Sequence, residues 1–219
     1  MSSIGVIFDM DGVLVASGPA HAASWRLVAK KHGITMSDEF FKHSFGRPSR
    51  DIIRDLWQRE MSPEETHKID TEKEALYRDL VTGMVPLTIG TKELLHSLTD
   101  AGYPLAVATS GPPENVQLVL TEKRLTPLFK AVVTGFDVKH GKPAPDCFLL
   151  AAERINIPPA RCVVIEDAPV GLAAATAAGM KSIGFVGTHP AETLEQAGAT
   201  AIVRELREIT PQLVSSLVN

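Results

Sequence analysis

The 219-residue chain is short of cysteine, of aromatic rings and of unbalanced charge. Each shortage excludes something. The two cysteines, Cys147 and Cys162, have no metal-ligand spacing and read as buried free thiols in a reducing compartment. Aromatic residues make up only 5%, too few for base-stacking platforms, and the formal net charge of -4 comes with no basic stripe, so a nucleic-acid partner is not expected. No apolar run is long enough to span a bilayer. No basic region precedes an apolar stretch at the N-terminus, so a secretory signal is not expected and a cytoplasmic location is the default. The chain also lacks internal repeats and low-complexity segments. What remains is the composition of a soluble globular protein, 44% hydrophobic and 22% charged, with room for one large or two smaller domains.

Six short runs read as buried strands: GVIFD (5–9), PLAVATS (104–110), AVVTG (131–135), RCVVIED (161–167), KSIGFVG (181–187) and TAIV (200–203). Most lack polar–apolar alternation, as expected of parallel strands covered on both faces. Helical patterns separate them from about residue 86 onward, which predicts an α/β, doubly wound, Rossmann-like parallel sheet. Residues 18–83 interrupt the alternation with four helical stretches and no strand. Ser62-Pro63-Glu64-Glu65 opens the last of these with a helix-start signature. The expected organisation is an α/β core of residues 1–15 and 86–219 with an all-helical cap of residues 16–85, hinged at Val15–Pro19 and Thr82–Thr88. A helical insertion beside the carboxyl end of a strand is a natural lid.

Ligands of parallel sheets bind beyond the carboxyl ends of the strands. Those ends carry Asp9 and Asp11, then Thr109-Ser110-Gly111, then Glu166-Asp167, with Lys142 in the loop after the third strand. Each has a bland explanation alone: Asp-x-Asp-Gly as a turn, Thr-Ser-Gly as a turn, the lysine as a solvated loop residue, Glu-Asp as a helix cap. Together, several carboxylates in one crevice need compensation, and a hard divalent cation such as Mg2+ supplies it. Lys142, Thr109 and the amides of Ser110 and Gly111 would then hold phosphate oxygens.

DMDGVLV, Thr109, Lys142 in GKPAPD and VIEDAPVGLAAATAAGM, in that order, resemble the four motifs of the haloacid dehalogenase superfamily, in the branch with a helical cap after the first strand. Within it the chain is similar to β-phosphoglucomutase and related sugar-phosphate phosphatases. The resemblance implies that Asp9 is the nucleophile and Asp11 the general acid and base, while Thr109 and Lys142 hold the phosphoryl group. It also implies that Mg2+ is bound by the Asp9 carboxylate, the Asp11 backbone carbonyl and Asp167, with Glu166 a further ligand or an acceptor just outside. In the cap, His21, Arg50 and Lys73 match residues that face substrate. For Arg50 and Lys73 the alternative is a solvated helix face, and for Trp25 it is the cap's own core.

Two departures from the family pattern bear on the reaction. The segment before His21 lacks the usual acids, and Gly111-Pro112-Pro113 offers no side-chain donors where the mutase carries them. The leading expectation is therefore a phosphatase of small phosphorylated metabolites, sugar or polyol phosphates, acting as a monomer. A hexose-phosphate mutase of the β-phosphoglucomutase type is the alternative. A non-catalytic module is disfavoured by the completeness of the motifs.

Overall fold

The computed structural model describes residues 3–218. The strands are β1 (Gly5–Phe8), β2 (Leu105–Ala108), β3 (Phe129–Val133), β4 (Cys162–Glu166), β5 (Lys181–Phe185) and β6 (Ala201–Val203). They form one six-stranded sheet in the order β3-β2-β1-β4-β5-β6, with every pairing parallel. The central strands β1, β2 and β4 are buried along their whole length. This is why their sequences run apolar without alternation. β3 starts two residues earlier than the apolar run suggests, because Phe129 pairs with Leu105 at the sheet edge and the exposed Lys130 is taken up in a register shift before Ala131 pairs with Ala106.

Between β1 and β2 come α1 (Gly18–Lys31), α2 (Asp38–Ser44), α3 (Ser49–Trp57), α4 (Pro63–Val81) and α5 (Thr91–Asp100). The later helices are α6 (Pro113–Glu122), α7 (Asp146–Arg154), α8 (Pro169–Ala177), α9 (Ala191–Gln196) and α10 (Pro211–Val218). α4 begins with a reciprocal capping box between Ser62 and Glu65, as the sequence predicts. Alternate β1 residues feed opposite faces of the sheet: Val6 and Phe8 join one apolar cluster with Leu95 and Val119, and Ile7 joins another with Phe148 and Ala174. A third cluster, built on Trp25, Val28, Ile53, Leu56 and Ile69, lies within α1–α4.

Two features of this frame position the site. First, β1 pairs with β2 on one side and β4 on the other, with Phe8 opposite both Val107 and Ile165. The three strands therefore end level, at the point where the winding direction reverses. Second, the chain leaving and re-entering the sheet is clamped: Ala16 N–H donates to Pro86 O at 2.8 Å, Thr88 N–H donates to Leu14 O at 3.1 Å, and Val15 bridges Leu87. The helices α1–α4 are thus held over the carboxyl ends of the central strands by a paired two-stranded stem.

Candidate active site

β1 delivers Asp9 into the crevice, where the side chain is largely buried. Lys142 Nζ reaches across from the β3–α7 loop and donates to Asp9 Oδ1 at 2.6 Å, to Glu166 Oε1 at 2.7 Å and to Ala108 O at 3.3 Å. All three ammonium protons are engaged. Burial by itself would lower the Lys142 pKa, but the Asp9 and Glu166 carboxylates outweigh it and hold the group above its ordinary value.

Glu166, the last residue of β4, places Oε2 at the start of α8, where it accepts from the Asp167 and Ala168 amides at 2.9 and 2.8 Å. Its position depends on Gly171: a Cβ there would lie 1.7 Å from Glu166 Oε1. Both oxygens of Glu166 are thus committed to protein donors. Asp167 accepts the Thr188 hydroxyl on Oδ2, and its backbone carbonyl faces His189 Nδ1 at 3.1 Å. Gly12, at φ +87°, lets the chain pass this carboxylate; a Cβ there would lie 2.0 Å from Asp167 Oδ2.

One oxygen from each of Asp9, Glu166 and Asp167 lies within 4.8 Å of the others, and all three residues are buried. Three carboxylates face a single lysine. Burial raises the Asp9 pKa to about 7; Lys142 opposes the rise and Glu166 adds to it. Asp167 is raised well above its ordinary value by burial and then by Glu166 and Asp9. A buried, all-oxygen donor set with this excess of negative charge fits a hard divalent cation.

Asp11 is separated from Asp9 by Met10 alone, but its carboxyl turns away from that cluster. Asp11 Oδ1 accepts from Ser17 Oγ at 2.7 Å and from His21 Nε2 at 3.0 Å. Burial would raise its pKa, yet His21 and Ser17 outweigh burial and lower it. His21, on the first turn of α1, stacks flat on Tyr77 of α4 with ring centroids 3.9 Å apart. Lys73 Nζ donates to His21 Nδ1 at 2.8 Å and to Glu74 Oε1 at 2.7 Å. An ammonium only donates, so His21 Nδ1 must accept and Nε2 carries the proton that bonds Asp11.

Thr109, buried at the end of β2, accepts the Gly111 amide on Oγ1 at 3.1 Å. Ser110 and Gly111 follow in the loop that opens α6. These residues, with Asp9, Asp11, Lys142, Glu166 and Asp167, line a cleft of about 320 Å³ between the sheet and the helices α1–α4.

The structure brings Asp9, Asp11, Thr109, Ser110, Gly111, Lys142, Glu166 and Asp167 to this one cleft, with His21, Lys73 and Arg50 on its helical side. The alternative of a solvated face fits the exposure of Arg50, whose side chain is 76% exposed and lies 4.0 Å from Asp51, although it also borders the cleft. It does not apply to Lys73, which is 3% exposed. Trp25 both packs into the cluster within α1–α4 and borders the cleft. Sequence reasoning missed Ser17, Glu74, Tyr77, Asn115, Thr188 and His189. For Tyr77 a signal existed: Ile69, Lys73 and Tyr77 recur every fourth residue, on one helix face.

The arrangement has counterparts. The family model for haloacid dehalogenase-like hydrolases matches residues 5–179. The chain belongs to the haloacid dehalogenase-like hydrolases. Among other members of this family, it is 32% identical over 206 residues to the validoxylamine A 7'-phosphate phosphatase of Streptomyces hygroscopicus subsp. limoneus, covering 93% of this chain and 94% of that one. It is 34% identical over 180 residues to the fructose-1-phosphate phosphatase YqaB of Escherichia coli, covering 82% and 94%. A crystal structure of a haloacid dehalogenase hydrolase, family IA, variant 3, from Entamoeba histolytica superposes with a TM-score of 0.90 at 30% identity, covering 100% of this chain and 99% of that one. The family resemblance carried by the four sequence motifs is borne out. As in the sequence reading, no helix among the described residues is long and apolar enough to cross a membrane.

Proposed function

We propose that this hydrolase is a Mg2+-dependent phosphatase of small phosphorylated sugars or polyols, acting as a cytoplasmic monomer through an aspartyl phosphate on Asp9. The observation that carries the reading is the division of labour between two carboxylates one residue apart. Asp9 lies among buried acids and Lys142, where an anionic phosphoryl group needs its countercharges. Asp11 faces the helical side of the cleft, held by Ser17 and His21, where a leaving alcohol would emerge. The phosphatases named among the relatives support the same reaction class.

Asp9, Asp167 and the backbone carbonyl of Asp11 would hold the Mg2+, which supplies positive charge to the buried carboxylates and to the phosphate oxygens. Glu166, with both oxygens occupied, serves instead to fix Lys142 and the start of α8. Asp9 attacks phosphorus and forms the acyl phosphate as the ester P–O bond breaks. Asp11, which takes up a proton before this step although His21 and Ser17 favour its ionised form, gives that proton to the departing alkoxide. Asp11, now ionised, takes a proton from water as the water attacks phosphorus, which frees phosphate and restores Asp9. Thr109 and the Ser110 amide bind phosphoryl oxygens, and Lys142 and the Gly111 amide join them by exchanging their present bonds to Ala108 O and Thr109 Oγ1 for phosphoryl oxygens. Residues 16–85 act as the cap domain over a core of residues 1–15 and 86–219, and His21, Arg50 and Lys73 face the substrate from it.

Hydrolysis is favoured over the mutase alternative by the loop after Thr109, where Gly111-Pro112-Pro113 offers no side-chain donors to a second phosphate. Of the cations on the helical side of the cleft, Lys73 is already paired with Glu74 and Arg47 with Asp55, while Arg50 is exposed. The test is a screen of metabolite phosphates, including β-glucose 1-phosphate, against the wild type and Asp9→Asn. Release of phosphate that is lost in the variant is expected. Release persisting in Asp9→Asn overturns the mechanism, and conversion of β-glucose 1-phosphate to glucose 6-phosphate without release overturns the hydrolase reading.

A further inference from the structure

The hydrogen bonds that hold Asp11 do not end at Lys73. Glu74, 7% exposed, accepts Lys73 on Oε1 and accepts Asn115 Nδ2 on Oε2 at 2.7 Å. Asn115 is fully buried in the first turn of α6, six residues beyond Thr109, and its Oδ1 accepts from Arg78 Nη1 at 2.9 Å. A guanidinium only donates and a carboxylate only accepts, so the orientation of the Asn115 amide is fixed from both sides. Among the described residues, both side-chain hydrogen bonds between α4 and α6 end on Asn115. The result is a continuous chain, Asn115–Glu74–Lys73–His21–Asp11, that starts on the helix carrying the Thr109–Gly111 loop and ends on the second aspartate.

We propose that Glu74 and Asn115 are positioning residues that latch α4 to α6 and thereby set the orientation of the Asp11 carboxyl through Lys73 and His21. The inference rests on the reading of Asp11 as the acid and base above. Neither residue touches substrate in this scheme. Glu74 keeps the Lys73 ammonium directed at His21, and Asn115 fixes Glu74 to the core. Any posture of the helical segment that separates α4 from α6 strips the buried Asn115 amide of both its side-chain partners and leaves Glu74 with Lys73 alone, so the latch favours the closed arrangement in which Asp11 is held.

The isosteric Glu74→Gln isolates the effect. Glu74 faces two donors, and a glutamine has only one acceptor oxygen, so one of the two links must break with little change of shape. Glu74→Gln and Asn115→Ala are to be measured alone and combined with His21→Ala, on p-nitrophenyl phosphate and on the best sugar phosphate from the screen. Expected is a fall in kcat of about tenfold with KM changed less than about twofold, and almost no further loss in the His21→Ala background, because residues of one chain are non-additive. The melting temperature of Glu74→Gln should stay within about 3 °C of the wild type, a shift equivalent to a small stability change. Unchanged kcat in both single variants overturns the proposal, as do losses that multiply fully with His21→Ala. Should Asn115→Ala fail to fold, Glu74→Gln decides alone. A wild type that hydrolyses none of the esters overturns the functional reading and this inference with it; an active wild type with unaffected variants overturns this inference only.

Discussion

Asp9 and Asp11 are adjacent in pattern and opposite in environment. Asp9 is pushed up to about 7 by burial, while Asp11 is lowered because His21 and Ser17 outweigh its burial. The sign of the resulting pH dependence follows from proton counting. Between the ordinary carboxylate range and about pH 7, the metal-free folded chain binds more protons at Asp9 and Asp167 than the unfolded chain does. Stability from these two groups is therefore greatest at the acid end of that window and declines as pH rises through it. A divalent cation competes with the same protons, so the rise in melting temperature on adding Mg2+ should be larger at about pH 8 than at about pH 5. Differential scanning fluorimetry with and without Mg2+ at both pH values measures this; equal increments, or a larger one in acid, would count against the cation site.

At the same scale, what was legible depended on how local the signal is. Asp9, Asp11, Thr109, Glu166 and Asp167 could be read because each stands at or just beyond the end of an apolar run, and Lys142 because GKPAPD marks the loop after the third of them. Glu74 and Asn115 could not, because their bond spans 41 residues and leaves no trace in either segment. Lys73 sits between Glu72 and Glu74 and so reads as part of a solvated face; the structure buries it because that face of α4 lies against His21 and Trp25. Thr188 and His189 look like an ordinary turn until β5 places them beside β4.

The elements themselves were largely legible, since uninterrupted apolar strands and helix start signals are both local. α4 shows this most clearly and permits a separation of stability from catalysis. Its capping box joins Ser62 Oγ to the Glu65 amide at 3.1 Å and Glu65 Oε2 to the Ser62 amide at 3.0 Å. Ser62→Ala should cost about 1 kcal/mol of stability in urea titration. The box lies about three turns, or roughly 16 Å along the axis, from Lys73. Accordingly kcat and KM should be unchanged at temperatures where the variant is folded, and a kcat loss as large as that expected for Glu74→Gln would mean that fraying of the helix start, not the α4–α6 latch, controls Asp11.

On the scale of the whole molecule, α4 belongs to two cores at once. Ile69 packs with Trp25, Val28 and Leu56 in the cluster of the helical segment, while Tyr77 and Val81 pack with Phe8, Leu95 and Val116 in the cluster against the sheet. The stem at Ala16 and Thr88 adds backbone hydrogen bonds to the same junction. Loss of the helical segment would strip Tyr77 from the main core and break the Glu74–Asn115 bond, so the segment should not melt by itself. The two tryptophans, Trp25 and Trp57, both lie in this segment and report on it alone, whereas far-UV circular dichroism reports on every helix. Thermal transitions followed by the two signals should coincide within about 2 °C, as for a single cooperative unit. A fluorescence transition that precedes the circular dichroism transition would show the segment unfolding independently. In that case the junction through α4 would be too weak to set the position of Asp11, and the latch would have to form only when substrate is bound.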